Sequence, residues 1–215
     1  MYFFTSMAKN GENFILYSGK DKIENEHLIR HAWDVDIWFH VDNLSSAHIY
    51  LRLPDGMSLD EVPSEVIMDC AQLTKANSIS GCKQNNVPIV YTPASNLLKS
   101  SHMLAGQVGF KNESLCRYIT VETKDNAVLN RLNKTRREEF PNLQAMKEQR
   151  ESALSQERRR QQIEFRRKQK EDELKRKEEE ELRSYKGVMI DSLMTSNLDL
   201  RYSGKNVDEI EDDFM

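Results

Sequence analysis

From Asp36 to Arg52 apolar and polar residues alternate with period two on either side of the turn-forming run DNLSS, a pattern that predicts an antiparallel hairpin. Centring the turn on Leu44 puts Ile37, Phe39, Val41, Ala47, Ile49 and Leu51 on one face, the core face. The other face then carries three cross-strand pairs: Asp36 with Arg52, Trp38 with Tyr50, and His40 with His48. Upstream, NFILYS reads as a strand and KIENEHLIRH as a helix; downstream, a helix from Ser64 ends near Lys75 to Ser78, with Gly81 as a natural stop.

After Lys124 the pattern changes in kind. Most Pro and Gly, both Trp and most β-branched apolar residues precede it, so the packed domain is expected over 1–123. Residues 124–186 hold no Gly and a single proline, Pro141. A first helix is expected from Asp125 to Glu139, and a second from Pro141 to about Ser184, ~65 Å long at 1.5 Å per residue. Its apolar residues keep no unbroken heptad seam, whereas Glu164 with Lys168, Glu171 with Lys175, Asp172 with Arg176, Glu173 with Lys177 and Glu179 with Arg183 stand four apart. A solvated single helix therefore fits better than a stable coiled coil, and the polar, acidic residues 187–215 are expected to be a disordered tail. The fold class is α+β: a single antiparallel-sheet domain with packed helices, then a long charged helix.

Charge sharpens this division. The chain of 215 residues has net charge −4, but residues 1–123 hold 10 Lys/Arg against 14 Asp/Glu, 124–186 hold 19 against 14, and 187–215 hold 2 against 7. Arg158 to Lys170 carries seven bases and one acid, a strong positive patch. The longest uncharged stretch, Gln84 to Leu98, has 15 residues and two prolines, too short for a transmembrane helix, and the opening MYFFTSMAKN reads as a strand rather than a secretory signal. Cytosol or nucleus is the expected compartment, with peripheral membrane association left open. Three cysteines without CxxC spacing, Cys70, Cys82 and Cys116, point to free thiols rather than a disulfide framework or zinc site.

The mixed hairpin face has two readings. In the first it is a platform on which a base stacks on Trp38 or Tyr50 while His40, His48 and Arg52 meet phosphate or a base edge. In the second a helix covers it and the aromatic pair is structural. Lys20 and Lys22 flank a helix start that could seat phosphate; Lys75 and Lys83 would extend the same positive surface. No third ligand accompanies the two histidines, no nucleophile elbow accompanies Ser45, Ser46 and His48, and no phosphate-binding glycine loop is present, so neither catalysis nor a metal or other cofactor is expected.

The blocks GKDKIENEHLIRH, DIWFHVDNLSSAHIYLR, MDCAQLTKANSISGCKQNNVPIVYT and AGQVGF, in that order, resemble the NFACT-R domain family. The resemblance implies a nucleic-acid-binding module of a kind also found in ribosome quality-control factors that engage tRNA and the large ribosomal subunit. It places the motif on Asp36, Trp38, His40, Ser46 and His48, with Asn25, Asn77 and Thr92 in the accompanying blocks. The expected function is therefore non-enzymatic binding of nucleic acid, RNA before DNA, with tRNA or ribosome as candidate partners. Phosphate contacts are expected from Lys20, Lys22, Lys75, Lys83, Arg158, Arg159, Arg160, Arg166, Arg167 and Lys168. The alternatives are a DNA-binding protein or receptor-like sensor of nucleic acid, and an adaptor that binds a protein partner or itself through the long helix.

Overall fold

The computed structural model describes residues 1–100 and 102–184; the acidic segment 187–215 lies outside them. The elements in chain order are β1 Tyr2–Met7, β2 Asn13–Ser18, α1 Lys22–His31, β3 Asp36–Val41, β4 Ile49–Arg52, α2 Ser64–Ala76, β5 Val87–Pro93, β6 Leu97–Leu98, β7 Gly109–Phe110, β8 Arg117–Val121, α3 Asn126–Lys134, β9 Arg137–Glu138 and α4 Leu143–Arg183. Seven strands make one antiparallel sheet in the order β8-β5-β3-β4-β2-β1-β9, and β6 pairs with β7 separately. This is the α+β architecture that the pattern predicts.

The β3–β4 ladder has the predicted register, with Asp36 opposite Arg52 and Trp38 opposite Tyr50. Ile37, Phe39, Val41, Ile49 and Leu51 enter the main core. There they meet Val66, Cys70 and Leu73, spaced to share one face of α2. The opposite sheet face holds a second cluster, in which Tyr17, Trp38, Tyr50 and Val90 pack with Leu28 of α1 and Leu97 of β6. The sheet is thus buried on both sides. A buried ring of this size contributes at most about 4–6 kcal/mol of apolar transfer free energy.

Local chemistry sets the helix ends. The Asp21 carboxylate accepts from the backbone N–H groups of Ile23 and Glu24, starting α1. At the far end of α2, Asn77 Nδ2 donates to the Leu73 carbonyl at 2.8 Å.

Two expectations beyond residue 123 are corrected. The helix expected from Asp125 to Glu139 ends at Lys134, and Arg137–Glu138 instead pairs with Tyr2 and Phe3 at the outer edge of β1. Thr135 makes the switch: its hydroxyl donates to the Leu132 carbonyl and accepts the Thr5 N–H, which brings the chain onto that edge. The long helix begins at Leu143 rather than Pro141, with Asn142 Oδ1 accepting the Ala145 N–H. The packed unit also runs further than residue 123, to Ser152. Leu129 and Leu132, three residues apart on a polar helix, belong to the main core.

In the second unit, residues 153–183 are helical and, Leu154 apart, exposed. Two of the five expected ion pairs form there, Glu171 with Lys175 and Glu173 with Lys177. Among the described residues no helix is long and apolar enough to cross a membrane.

Candidate nucleic-acid interface

The strand register places Thr92, Trp38, Tyr50, Tyr17 and Phe3 in one row across the sheet. Trp38 is 2% exposed and Tyr50 0%. Tyr17 and Tyr50 stack at 5.0 Å, and Phe110 meets the edge of Trp38 at 5.8 Å. With α1 and the β6–β7 pair packed over them, Trp38 and Tyr50 present no ring to a base, which corrects the stacking platform expected from the alternation. Asp36 and Arg52 are committed in the same way. Asp36 accepts from the Tyr17 hydroxyl at 2.6 Å, from the Trp33 N–H at 2.7 Å and from the Arg52 guanidinium at 2.9 and 3.1 Å. That guanidinium lies 3.6 Å from the centre of the Trp33 ring, so its charge is used within the fold rather than offered to phosphate. Thr92 is buried too, donating to the Leu115 carbonyl and accepting from Asn96.

One row further along, the two histidines differ. His48 is buried, and its Nδ1 accepts from Trp38 Nε1 at 2.8 Å, so its proton sits on Nε2. Burial and neighbouring His40 hold its pKa down to about 3. His40 is half-buried, and its ring lies parallel to Trp38 at 5.4 Å. Its Nδ1 is 2.7 Å from the Val41 carbonyl, which can only accept, so Nε2 is left as an acceptor. Burial lowers its pKa as well.

The register carries this row to Val90 and then to Tyr118, whose ring is 60% exposed. The sequence pattern singles out no role for Tyr118; the signal that could have found it is the alternation of RYITV. The exposed residues Asn43, Lys83, Gln84, Asn85 and Asn86 border the same end of the sheet. Asn43 and Asn86 take left-handed backbone conformations at φ 57° and 54°, which asparagine tolerates better than most residues. Ser46 and Asn77 organise this end without facing out of it. Ser46 Oγ accepts the Val41 N–H and donates to the Ala47 carbonyl, while the Asn77 carbonyl accepts the Ala47 N–H.

The expected lysines separate. Lys75 is 0% exposed, and its Nζ donates to the carbonyls of Val121 and Glu122, both at 2.9 Å. It ties α2 to the end of β8 and is unavailable to phosphate, a correction caused by the two carbonyls that draw it in, that of Glu122 being shared with the Asn86 N–H. Lys20 and Lys22 are exposed, but the seat between them is filled. Asp21 takes two of the N–H groups at the α1 start, and Glu24 accepts the Lys20 N–H at 2.8 Å. Asn25 is buried at the same turn. A Cβ on Gly19 would stand 3.0 Å from the Asn25 nitrogen, so the chain needs glycine there. Lys83 remains exposed, as do Arg158, Arg159, Arg160, Arg166, Arg167 and Lys168 on α4. None of these six helix cations makes an ion pair among the described residues.

Residues 1–112 match the family model of the NFACT protein RNA binding domain. The chain belongs to this family. The matched span runs from β1 through β7, so it holds the hairpin, both histidines and Lys83, and stops short of Tyr118 and the helix cations. Coiled-coil domain-containing protein 25 of Mus musculus is 51% identical over 199 residues, 93% of this chain and 96% of that protein. Protein JLP2 of Saccharomyces cerevisiae is 42% identical over 149 residues, 67% of this chain and 72% of that one. Among solved structures, the C-terminal part of the fibronectin/fibrinogen-binding protein from Streptococcus suis matches with TM-score 0.48 and 20% identity, over 62% of this chain and 48% of that chain.

Proposed function

We propose that this protein is a non-enzymatic RNA-binding protein of tRNA- or ribosome-linked RNA. The NFACT-R domain supplies base contacts in this reading, and α4 supplies most of the attraction to phosphate. The observation that carries it is the set of exposed cations Arg158, Arg159, Arg160, Arg166, Arg167 and Lys168, without an ion pair among the described residues, in a chain whose other part is an RNA-binding family domain. The half-buried His40 ring and the exposed Tyr118 ring lie in one sheet row, with Lys83 and four exposed amide side chains at the same end. Such a surface stacks bases and donates to their edges. The non-enzymatic part of the reading has its own support: Ser46 and His48 are hydrogen-bonded to separate partners, so neither activates the other.

Salt titration of RNA binding tests the proposal. Replacing Arg158, Arg159, Arg160, Arg166 and Arg167 with Gln is expected to weaken binding of a single-stranded RNA oligonucleotide and to flatten the slope of log affinity against log salt by about 2–3. An unchanged slope refutes the role given to α4. One observation favours a second reading, a protein adaptor: Ile163, Phe165, Leu174 and Leu182 are exposed on the same helix. Specific capture of a protein partner by the same five-arginine variant would favour it.

A further inference from the structure

A cavity of about 420 Å³ opens between α1 and the segment that leads into α4, lined by His27 and His31, one helical turn apart, and by Phe140, Pro141, Asn142 and Leu143. Phe140 is 77% exposed, a large aromatic ring with almost nothing packed on it, at the lip of a concave site. The walls are held rather than loose. The Met1 ammonium donates to Glu24 at 3.0 Å and to the Glu139 carbonyl at 3.1 Å, and Lys147 Nζ donates to the Arg30 carbonyl.

The charges around the opening favour an anion-bearing ligand. Arg30 is exposed on α1 next to His31, and Lys147 approaches from α4. Lys20 reaches Glu138, two residues before Phe140, and Glu24 is already taken up by the Met1 ammonium. The arrangement is an aromatic face at the lip, two histidines and amide side chains within, an acid paired with the chain's ammonium group, and cations at the rim.

We infer that this cavity holds a single unstacked nucleobase of a bound RNA strand, stacked on Phe140 with its flanking phosphates on Arg30 and Lys147. The inference rests on the RNA-binding reading above, and it adds a base site at the edge of the family domain, away from the His40 row. Phe140 lies outside the 1–112 family match while His27 and His31 lie inside it, so the site joins the family domain to the segment that follows it. Asn142 Oδ1 accepts the Ala145 N–H in capping the helix, which leaves Nδ2 to meet a base edge.

The test uses the full-length protein and a single-stranded RNA with 2-aminopurine at one position, whose fluorescence falls when it stacks. Wild type is expected to quench the probe, and Phe140→Ala to bind about 10-fold more weakly without quenching. Phe140→Tyr is expected to restore both. Equal affinity and quenching in Phe140→Ala overturns the site, and equally tight binding of the matched DNA overturns RNA as its occupant. The arginine-to-glutamine variant of α4 separates the two readings. If it loses affinity while Phe140→Ala does not, RNA binding stands and the cavity reading falls; if wild type binds no RNA, both fall.

Discussion

Arg52 and Arg158 are the same residue put to opposite uses. Arg52 sits on Trp33 and doubly engages the buried Asp36, and Lys75 is likewise consumed by two backbone carbonyls. Arg158 and its neighbours on α4 stand in solvent with no partner among the described residues. A buried charge must be fully hydrogen-bonded to be tolerated, and once it is, little of its field remains for a ligand. An exposed charge adds almost nothing to stability but keeps its field. In this protein the sheet layer provides stability and shape, and the cations offered to a polyanion lie on the helix and at the margins of the domain.

The largest test of that contrast is Trp38→Ala. It should cost about 3–5 kcal/mol in urea unfolding, because the ring fills the second core and its Nε1 satisfies His48. Wild-type stability in this variant would mean that the face is not packed. Next comes Lys75→Met, which leaves the Val121 carbonyl without the Lys75 donor and the Glu122 carbonyl with the Asn86 N–H alone, and should cost about 1–3 kcal/mol. Its RNA affinity, measured below the unfolding transition, should equal wild type; a loss of affinity there would restore Lys75 to the interface.

A smaller effect follows from His48. Its pKa in the fold, about 3, lies below the 6.5 of a free histidine, so the unfolded chain takes up a proton first as pH falls. Its stability contribution is therefore full above about pH 6.5 and declines toward pH 3, by at most about 1.4 kcal/mol per pH unit. His48→Asn keeps an acceptor for Trp38 without titrating, and should show a shallower decline between pH 6.5 and 4.5 in denaturant melts. The smallest effect on stability belongs to α4. The arginine-to-glutamine variant should unfold within about 0.5 kcal/mol of wild type, although its RNA affinity falls. A large destabilisation would show these arginines to be structural after all.

Period-two alternation and turn chemistry were enough to determine the hairpin, its register and its core face, because a one-residue slip would have turned every apolar side chain outward. The charged helix and its positive patch were equally legible, since exposed positions follow local composition. What alternation cannot report is whether a second layer covers the other face. Trp38, Tyr50, Asp36 and Arg52 have the residue types of a binding surface, and only the packing of Leu28, Leu97 and Phe110 over that layer made them interior. Lysine is usually exposed, so the sequence points Lys75 to the surface; its burial depends on carbonyls of Val121 and Glu122, 46 and 47 residues away in sequence. Tyr118 and Phe140 came to notice only through their exposure in the fold. The strand Arg137–Glu138, too, exists because β1 offers an open edge. Local periodicity fixes which way a side chain points along its own element, whereas its burial depends on partners brought together from distant sequence, and here that decided which groups are structural and which remain free to bind.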